Sequence, residues 1–491
     1  MPRSSSPLSL PEWRCKRGIV LIVFLLPPLC PASPNLLYLI SDDQTWTDFG
    51  FMGNDRVHTP HLDRLASESV FFSHGYVPTS VCRPSLVTLL TGLYPHQHGV
   101  HFNHGPPGNA GYNRLTSRLA FEEARQREFA LLANHQTLPG ILSKTLGYRC
   151  LQTGKFWEGH WKNGGFTEGM TTFEPPPPTQ TFGGTRILAN GERAAHGNGD
   201  AGLQIGRSTL KPIFDFITTC ESKDTPWMVW YAPYLPHQPH NSPEQFVQRA
   251  RARPDVTEPE LPYFASIAEL DHTIGQLLAF LEAHSDRSET LIVFVVDNGW
   301  SPSNKREKKR PQEFAHTKNS KRAPFDAGLR TPILLSRKGV LQPRKVPTPV
   351  SSVDLFPTIL HHIMKSPPTS GPGRNILEHP LEPLPIFGAI WPGDASTLHD
   401  PSVDLAYRWI RRGPWKLIQP EGQSPWGGYL KAPTLFHIER DPFETTNLWT
   451  KHPQVQSALL RELDQWWAPS KDNHLESNPP LSSSFPVDDV R

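Results

Sequence analysis

Three runs of this chain are apolar almost without a break: Asn35–Ile40, Trp227–Ala232 and Leu291–Val296. A strand with one wet face alternates apolar and polar residues. An unbroken run of this length instead predicts a strand covered on both faces. Tyr148–Gln152 reads as a short strand and Ile333–Ser336 as a further one. Between them the spacing is helical. Thr59 and Pro60 open one helix, the first as cap and the second at the first helical position. Further helical patterns cover Cys82–Thr91, Ser117–Ala133, Gln136–Leu146 and Leu210–Thr218. Pro262–His284 is the clearest amphipathic pattern, with Phe264, Ile267, Ile274, Leu277, Leu278 and Leu281 on helical spacing. Ser352–Leu360 starts another helix. Beyond the Pro/Gly/Ser-rich connector Ser366–Gly373 the pattern changes to short strands at Leu405–Ile410, Trp415–Gln419 and Thr434–His437, and Val455–Trp467 closes with a helix. The alternation predicts an α/β fold, a large mixed and mainly parallel sheet flanked by helices, followed by a small C-terminal domain with an antiparallel sheet.

The ends of the core strands carry the chemistry. Asp42 and Asp43 follow the first run, where open α/β sheets place their sites. Side by side they form either an exposed turn or a seat for a cation that relieves their repulsion. Asp297 and Asn298 follow the third run and offer the oxygen ligands a hard divalent ion takes. Cys82 stands at a helix start, where free N–H groups and the dipole favour an anion, and Pro84 fits the first turn. Leu86, Leu89 and Leu90 share one face of that helix and Gly92 ends it. His96 and His98 read either as ligands or as a polar loop near the site.

Length and charge narrow the class. The chain has 491 residues, 37% hydrophobic and 20% charged, which suits a globular protein with a sizeable core. A formal net charge of +2 provides no global field for nucleic acid or a membrane surface. The main basic cluster, Lys305–Arg310, reads as a solvated loop or as a contact for an anionic polymer. The 53 prolines predict long, stiff surface loops. Arg14, Lys16 and Arg17 precede the apolar run Gly18–Leu29, and Cys30-Pro31-Ala32 offers small residues for cleavage. This predicts a signal peptide over 1–32, a secreted or periplasmic protein, and no stable membrane insertion once the signal is removed; an uncleaved anchor is the alternative. The expected domains are 33–365 and 366–491. Of the cysteines left after cleavage, Cys150 and Cys220 are free to pair in an oxidising compartment, though nothing requires it.

Cys82-x-Pro84-Ser85 followed by Thr91-Gly92 resembles the signature of the sulfatase family. Lys155 in Gly154-Lys155, His237 in Pro236-His237-Gln238-Pro239, and Lys321 ahead of Phe325-Asp326-Ala327-Gly328-Leu329-Arg330 match that family's motifs too, over roughly Asn35 to Trp467. Two positions depart from it: Leu86 replaces an arginine and Trp157 a histidine, with Arg83 or His160 the nearest substitutes. The resemblance implies hydrolysis of sulfate esters, on sulfated carbohydrate. It makes Asp42, Asp43, Asp297 and Asn298 ligands of Ca²⁺. It makes Cys82 a residue oxidised to formylglycine by a formylglycine-generating enzyme, with a hydrate hydroxyl as nucleophile. Lys155, Lys321 and His237 contact the sulfate, His237 protonates the leaving alcohol, and Arg83 adds a substrate contact. Two other readings stand beside this one: a phosphoester or phosphonate hydrolase of the wider alkaline phosphatase superfamily, and a catalytically inactive binder of sulfated glycans.

Overall fold

The computed structural model describes residues 33–177, 184–284, 287–301, 319–364, 367, 371–421 and 429–469. The expected signal peptide, the basic run Lys305–Arg310 and half of the connector Ser366–Gly373 lie outside the described residues. Among the described residues fifteen strands are formed: β1 (Asn35–Ser41), β2 (Val70–Tyr76), β3 (Arg149–Gly154), β4 (Glu168–Gly169), β5 (Thr185–Ile187), β6 (Arg193–Ala195), β7 (Trp227–Ala232), β8 (Thr290–Val296), β9 (Arg330–Ser336), β10 (Arg344–Val346), β11 (Val350–Ser351), β12 (Ile386–Ile390), β13 (Tyr407–Arg412), β14 (Trp415–Pro420) and β15 (Thr434–His437).

Nine of them make one sheet in the order β10-β2-β9-β8-β1-β7-β3-β4, with β11 also on β2. Only β9 runs antiparallel to its neighbours, so the sheet is mixed and mainly parallel. β1 lies in its middle, with Leu39 opposite Phe294 on one side and Tyr231 on the other. Its unbroken apolar run is explained by the two cores it separates. Leu36, Tyr38 and Ile40 face a core completed by Leu86, Leu89 and Leu90 of the helix Cys82–Thr91, and by Leu138, Leu355 and Ile359. Leu37 and Leu39 face the opposite core, with Leu62, Ile213, Phe216, Leu270 and Ile274. A second sheet, β12-β13-β14-β15, is antiparallel, and β5 and β6 form a separate antiparallel pair. Ile410, Leu417 and Leu435 pack with Leu459 and Leu463 of the helix Pro453–Trp466. Trp409, Ile418 and Phe436 pack with Tyr76, Val77 and Phe325.

Several expectations change. The helix Leu261–His284 is buried all round from Tyr263 to Asp271 and amphipathic only beyond, where Gln276, Ala279 and Ala283 form an exposed stripe. Its polar residues are used inside: the Asp271 carboxylate accepts the His61 and Leu62 N–H groups, capping the helix Pro60–Ser67 from another element. Thr59 does not cap that helix with its side chain, because its hydroxyl accepts from Gly50 N–H and donates to Asp63. Strands β2 and β12 were not evident from pattern. Polar Ser73 and His74 interrupt the first, and Gly388 splits the second. Cys150 and Cys220 are both buried and free. Among the described residues no helix is long and apolar enough to cross a membrane.

Candidate active site

Strands β8, β1, β7 and β3 are consecutive and parallel, so their C-terminal ends open on one side of the sheet. Each hands the chain to a polar residue there: Asp297 and Asn298 after β8, Asp42 and Asp43 after β1, His237 five residues beyond β7, and Lys155 after β3. Because β9 is reversed, it is the chain entering β9 that lies at this end, and that segment carries Lys321. The topology thus collects residues far apart in sequence at one edge of a packed sheet.

Local backbone fixes the aim of these groups. Asp43 has a φ of 60°, in the left-handed region that non-glycine residues seldom occupy, and its N–H donates to Asp297 Oδ1 over 3.1 Å. Lys155 N–H donates to Ala232 O over 2.7 Å, directly after Gly154. A Cβ on Gly154 would lie 2.0 Å from Ala232 O, so only glycine lets β3 end this close to β7. Cys82 begins the helix Cys82–Thr91, which Gly92 ends in a left-handed conformation.

All the groups meet at this end of the sheet, buried except for the half-buried His237. Lys155 Nζ lies 2.6 Å from Asp42 Oδ1 and 3.8 Å from Asp297 Oδ2. Lys321 Nζ lies 2.5 and 2.7 Å from the two Asp43 oxygens, and Asn298 Nδ2 donates to Asp43 Oδ1 over 2.6 Å. Cys82 Sγ is 3.6 Å from the same oxygen. His237 Nε2 is 3.5 Å from Asp43 Oδ2, while its Nδ1 is satisfied by Gln238 O at 2.7 Å, so Nε2 is the nitrogen turned to the centre. Burial pushes the Asp42 and Asp297 carboxyls up, against the pull of Lys155. Burial acts on Asp43 the same way, yet Lys321, His237 and Lys155 together hold it below the usual carboxylate range. The Cys82 thiol is pushed by burial up to about 12, with Lys155 and Lys321 opposing. Burial also lowers His237, against the pull of Asp43.

Three carboxylates therefore face two ammonium groups, and the donors do not suffice. Asp42 Oδ2, Asp297 Oδ2 and Asn298 Oδ1 are buried and accept no hydrogen bond. Each such atom costs about 1–3 kcal/mol if left so. Asp42, Asp43 and Cys82 place one ligand atom each within 4.8 Å of one another. An oxygen-rich, negatively charged cluster short of donors fits a hard divalent cation, and the residues present suit one.

Two expected substitutes do not join the centre. The Arg83 guanidinium is fully buried and bound elsewhere: Nε and Nη2 donate to the two Glu158 oxygens over 2.7 Å, and Nη1 pairs with Glu128. Arg125 and Tyr112 share the same Glu128 carboxylate. The expected substrate contact of Arg83 is thereby corrected, because its donors are consumed by two carboxylates. His160 accepts the Lys162 N–H and packs on Trp161. Leu86 is core. Trp157 is buried against His104 and His196, at ring separations of 5.4 and 5.7 Å. Those two histidines lie in stretches without periodicity, and no sequence signal marks them. His96 stacks on Trp467 at 4.4 Å, and His98 is buried beside Thr88, so both are packing residues.

Comparison with known proteins identifies relatives over most of the chain. The Sulfatase family model matches residues 34–365. The chain is 26% identical over 476 residues to human N-acetylgalactosamine-6-sulfatase, covering 88% of this chain and 84% of that one. It is 28% identical over 345 residues to human arylsulfatase A, covering 66% and 63%. The crystal structure of Ps i-CgsB in complex with k-i-k-neocarrahexaose superposes with a TM-score of 0.64 at 20% identity, over 90% of this chain and 94% of that one.

Proposed function

The chain belongs to the sulfatase family, whose named relatives are sulfuric ester hydrolases, and we propose that it hydrolyses sulfate esters on sulfated carbohydrate with a formylglycine made from Cys82 and a bound Ca²⁺. One observation carries the reading. The three donorless oxygens of Asp42, Asp297 and Asn298 lie in the same buried cluster as Cys82, Lys155 and Lys321.

In this reading Asp42, Asp43, Asp297 and Asn298 hold the cation. A divalent ion there supplies positive charge to the sulfate oxygens and favours a deprotonated hydroxyl. Its charge would also release Lys155 and Lys321 from Asp42 and Asp43, leaving both ammonium groups to bind the ester's outer oxygens. His237 Nε2 gives a proton to the departing alcohol, and Nδ1 keeps the ring oriented through Gln238 O. Hydrated by water, the formylglycine aldehyde would carry two geminal hydroxyls: one to attack sulfur as the alcohol leaves, the other to collapse back to the aldehyde and expel sulfate. An unmodified thiol raised to about 12 is a poor nucleophile at neutral pH, so modification by a formylglycine-generating enzyme is part of the proposal. The proposed organisation is a signal peptide over 1–32, a catalytic domain over 33–365 and a C-terminal subdomain over 366–491, in a secreted or periplasmic protein.

The test has two arms. Protein purified from its own host should turn over an aryl sulfate far faster than the matching aryl phosphate, and mass spectrometry should find an aldehyde at Cys82. Faster phosphate turnover would favour the phosphoester alternative. Binding of sulfated glycan with no turnover would favour the inactive reading, to which Leu86 and Trp157 lend weight.

A further inference from the structure

We propose that Lys416, a residue of the C-terminal sheet, is a positioning residue that sets Lys321 in the site by clamping Asp326. The proposal rests on the sulfatase reading for what Lys321 does, but not for how it is held. Lys416 lies on β14 and is fully buried. Its ammonium is 2.8 Å from Asp326 Oδ1 and 2.8 Å from Glu444 Oε1. The other Asp326 oxygen accepts the Tyr76 hydroxyl over 2.7 Å, Arg411 donates to that hydroxyl, and Asp326 N–H donates to Glu444 Oε2 over 2.5 Å. Asp326, Tyr76 and Lys416 are each fully buried.

This clamp holds the far end of a tight loop. Ser320 Oγ donates to Ala327 O over 2.8 Å, tying the residue before Lys321 to the residue after Asp326. Ala323 N–H closes a turn onto Ser320 O, and Arg322 takes a φ of 70°. Lys321 N–H donates to Trp300 O, beyond the Asp297-Asn298 pair, and Arg322 N–H donates to Ser80 O, two residues before Cys82. The loop thus lies between the cation ligands, the nucleophile turn and the C-terminal sheet. Without Lys416, the Asp326 charge would lose its ammonium partner in the interior and the loop would shift to relieve it.

The experiment compares Lys416→Met, Tyr76→Phe, Lys321→Met and the double variant Lys321→Met/Lys416→Met, in full-length protein that melts cooperatively. Turnover of 4-nitrophenyl sulfate and competition by inorganic sulfate are read separately. Lys416→Met should lower kcat/KM at least thirtyfold and weaken sulfate binding at least fivefold. Tyr76→Phe, which keeps the ion pair, should lose three- to tenfold and serves if Lys416→Met does not fold. The double variant should be no worse than Lys321→Met, since the effect runs through that lysine. Additive losses, or a folded Lys416→Met with wild-type sulfate affinity and turnover, would overturn the proposal. If wild-type protein binds sulfate without turning over the ester, the sulfatase reading fails while sulfate affinity still decides the role of Lys416. If it does neither, both are overturned.

Discussion

Lys155 Nζ stands 2.6 Å from one Asp42 oxygen and leaves the other, Oδ2, buried and without a donor. A single ammonium thus half-satisfies a carboxylate whose neighbours include two more. The cluster is built to gain from a cation, and the consequences are measurable.

Calcium should raise the melting temperature of the wild-type protein by a few degrees, since a ligand at 100 times its Kd adds about 2.7 kcal/mol. Asp297→Asn keeps the hydrogen bond from Asp43 N–H but removes a ligand charge. Its calcium-dependent rise should vanish and its sulfate-ester turnover fall to background. Without calcium, its melting temperature should match or exceed wild type, because one buried carboxylate has gone. Scanning fluorimetry with and without chelator gives the answer, and indifference of both activity and melting to chelator would refute the metal assignment.

Cys82→Ala should abolish ester turnover while leaving the calcium response of the melting temperature in place. In protein made without a maturing enzyme, the thiol, pushed by burial up to about 12, should resist iodoacetamide at pH 8 until the chain is unfolded. Peptide mapping before and after denaturation checks this.

Arg83→Met should act on stability rather than substrate binding. It strands Glu158 and leaves Glu128 to Arg125 and the Tyr112 hydroxyl, and breaking such a buried pair costs about 3–5 kcal/mol. Urea unfolding should show the loss, with KM for aryl sulfate within twofold of wild type. A raised KM at unchanged stability would return Arg83 to the site.

Acid should weaken the fold through His98. Burial holds its imidazole well below the ordinary value, and His135 acts in the same direction. Its Nδ1 accepts the Val100 N–H, a bond that requires a bare nitrogen. The folded state therefore resists protonation that the unfolded chain accepts near pH 6.5. The stabilisation is complete above that pH and is lost as pH falls below it, by up to about 1.4 kcal/mol per unit for one proton. His98→Gln should reduce the fall of the melting temperature between pH 7 and pH 5 by the share of one proton, since burial also holds His74, His96 and His196 low. An unchanged slope would assign the acid sensitivity elsewhere.

Much of this was legible in the residues, for physical reasons. Asn35–Ile40 and Leu291–Val296 are unbroken because two cores cover both their faces, and that pattern also located Asp42, Asp43, Asp297 and Asn298 at strand ends. The reversed direction of β9 was not legible, since an apolar run carries no sign of direction. Arg83 was misread because a guanidinium beside a nucleophile looks the same in sequence whether it faces a substrate or two distant glutamates. Lys416, ninety-five residues beyond Lys321, has no local pattern at all; only the packing of β14 against Asp326 reveals it.

The central place of β1 bears on how the chain is made. Leu36 pairs with Met228 on one side and with Leu291 on the other. During synthesis β1 precedes both partners: one edge stays bare until β7 has emerged and the other until β8 has. Its partners arrive late: β7 must insert between β1 and the earlier β3, and β8 must add to the other edge of β1 before β9 can join the sheet. Such long-range pairing is slow and exposes aggregation-prone edges. The nascent protein should therefore depend heavily on chaperones, and truncations that end before residue 290 should precipitate rather than yield a smaller active enzyme.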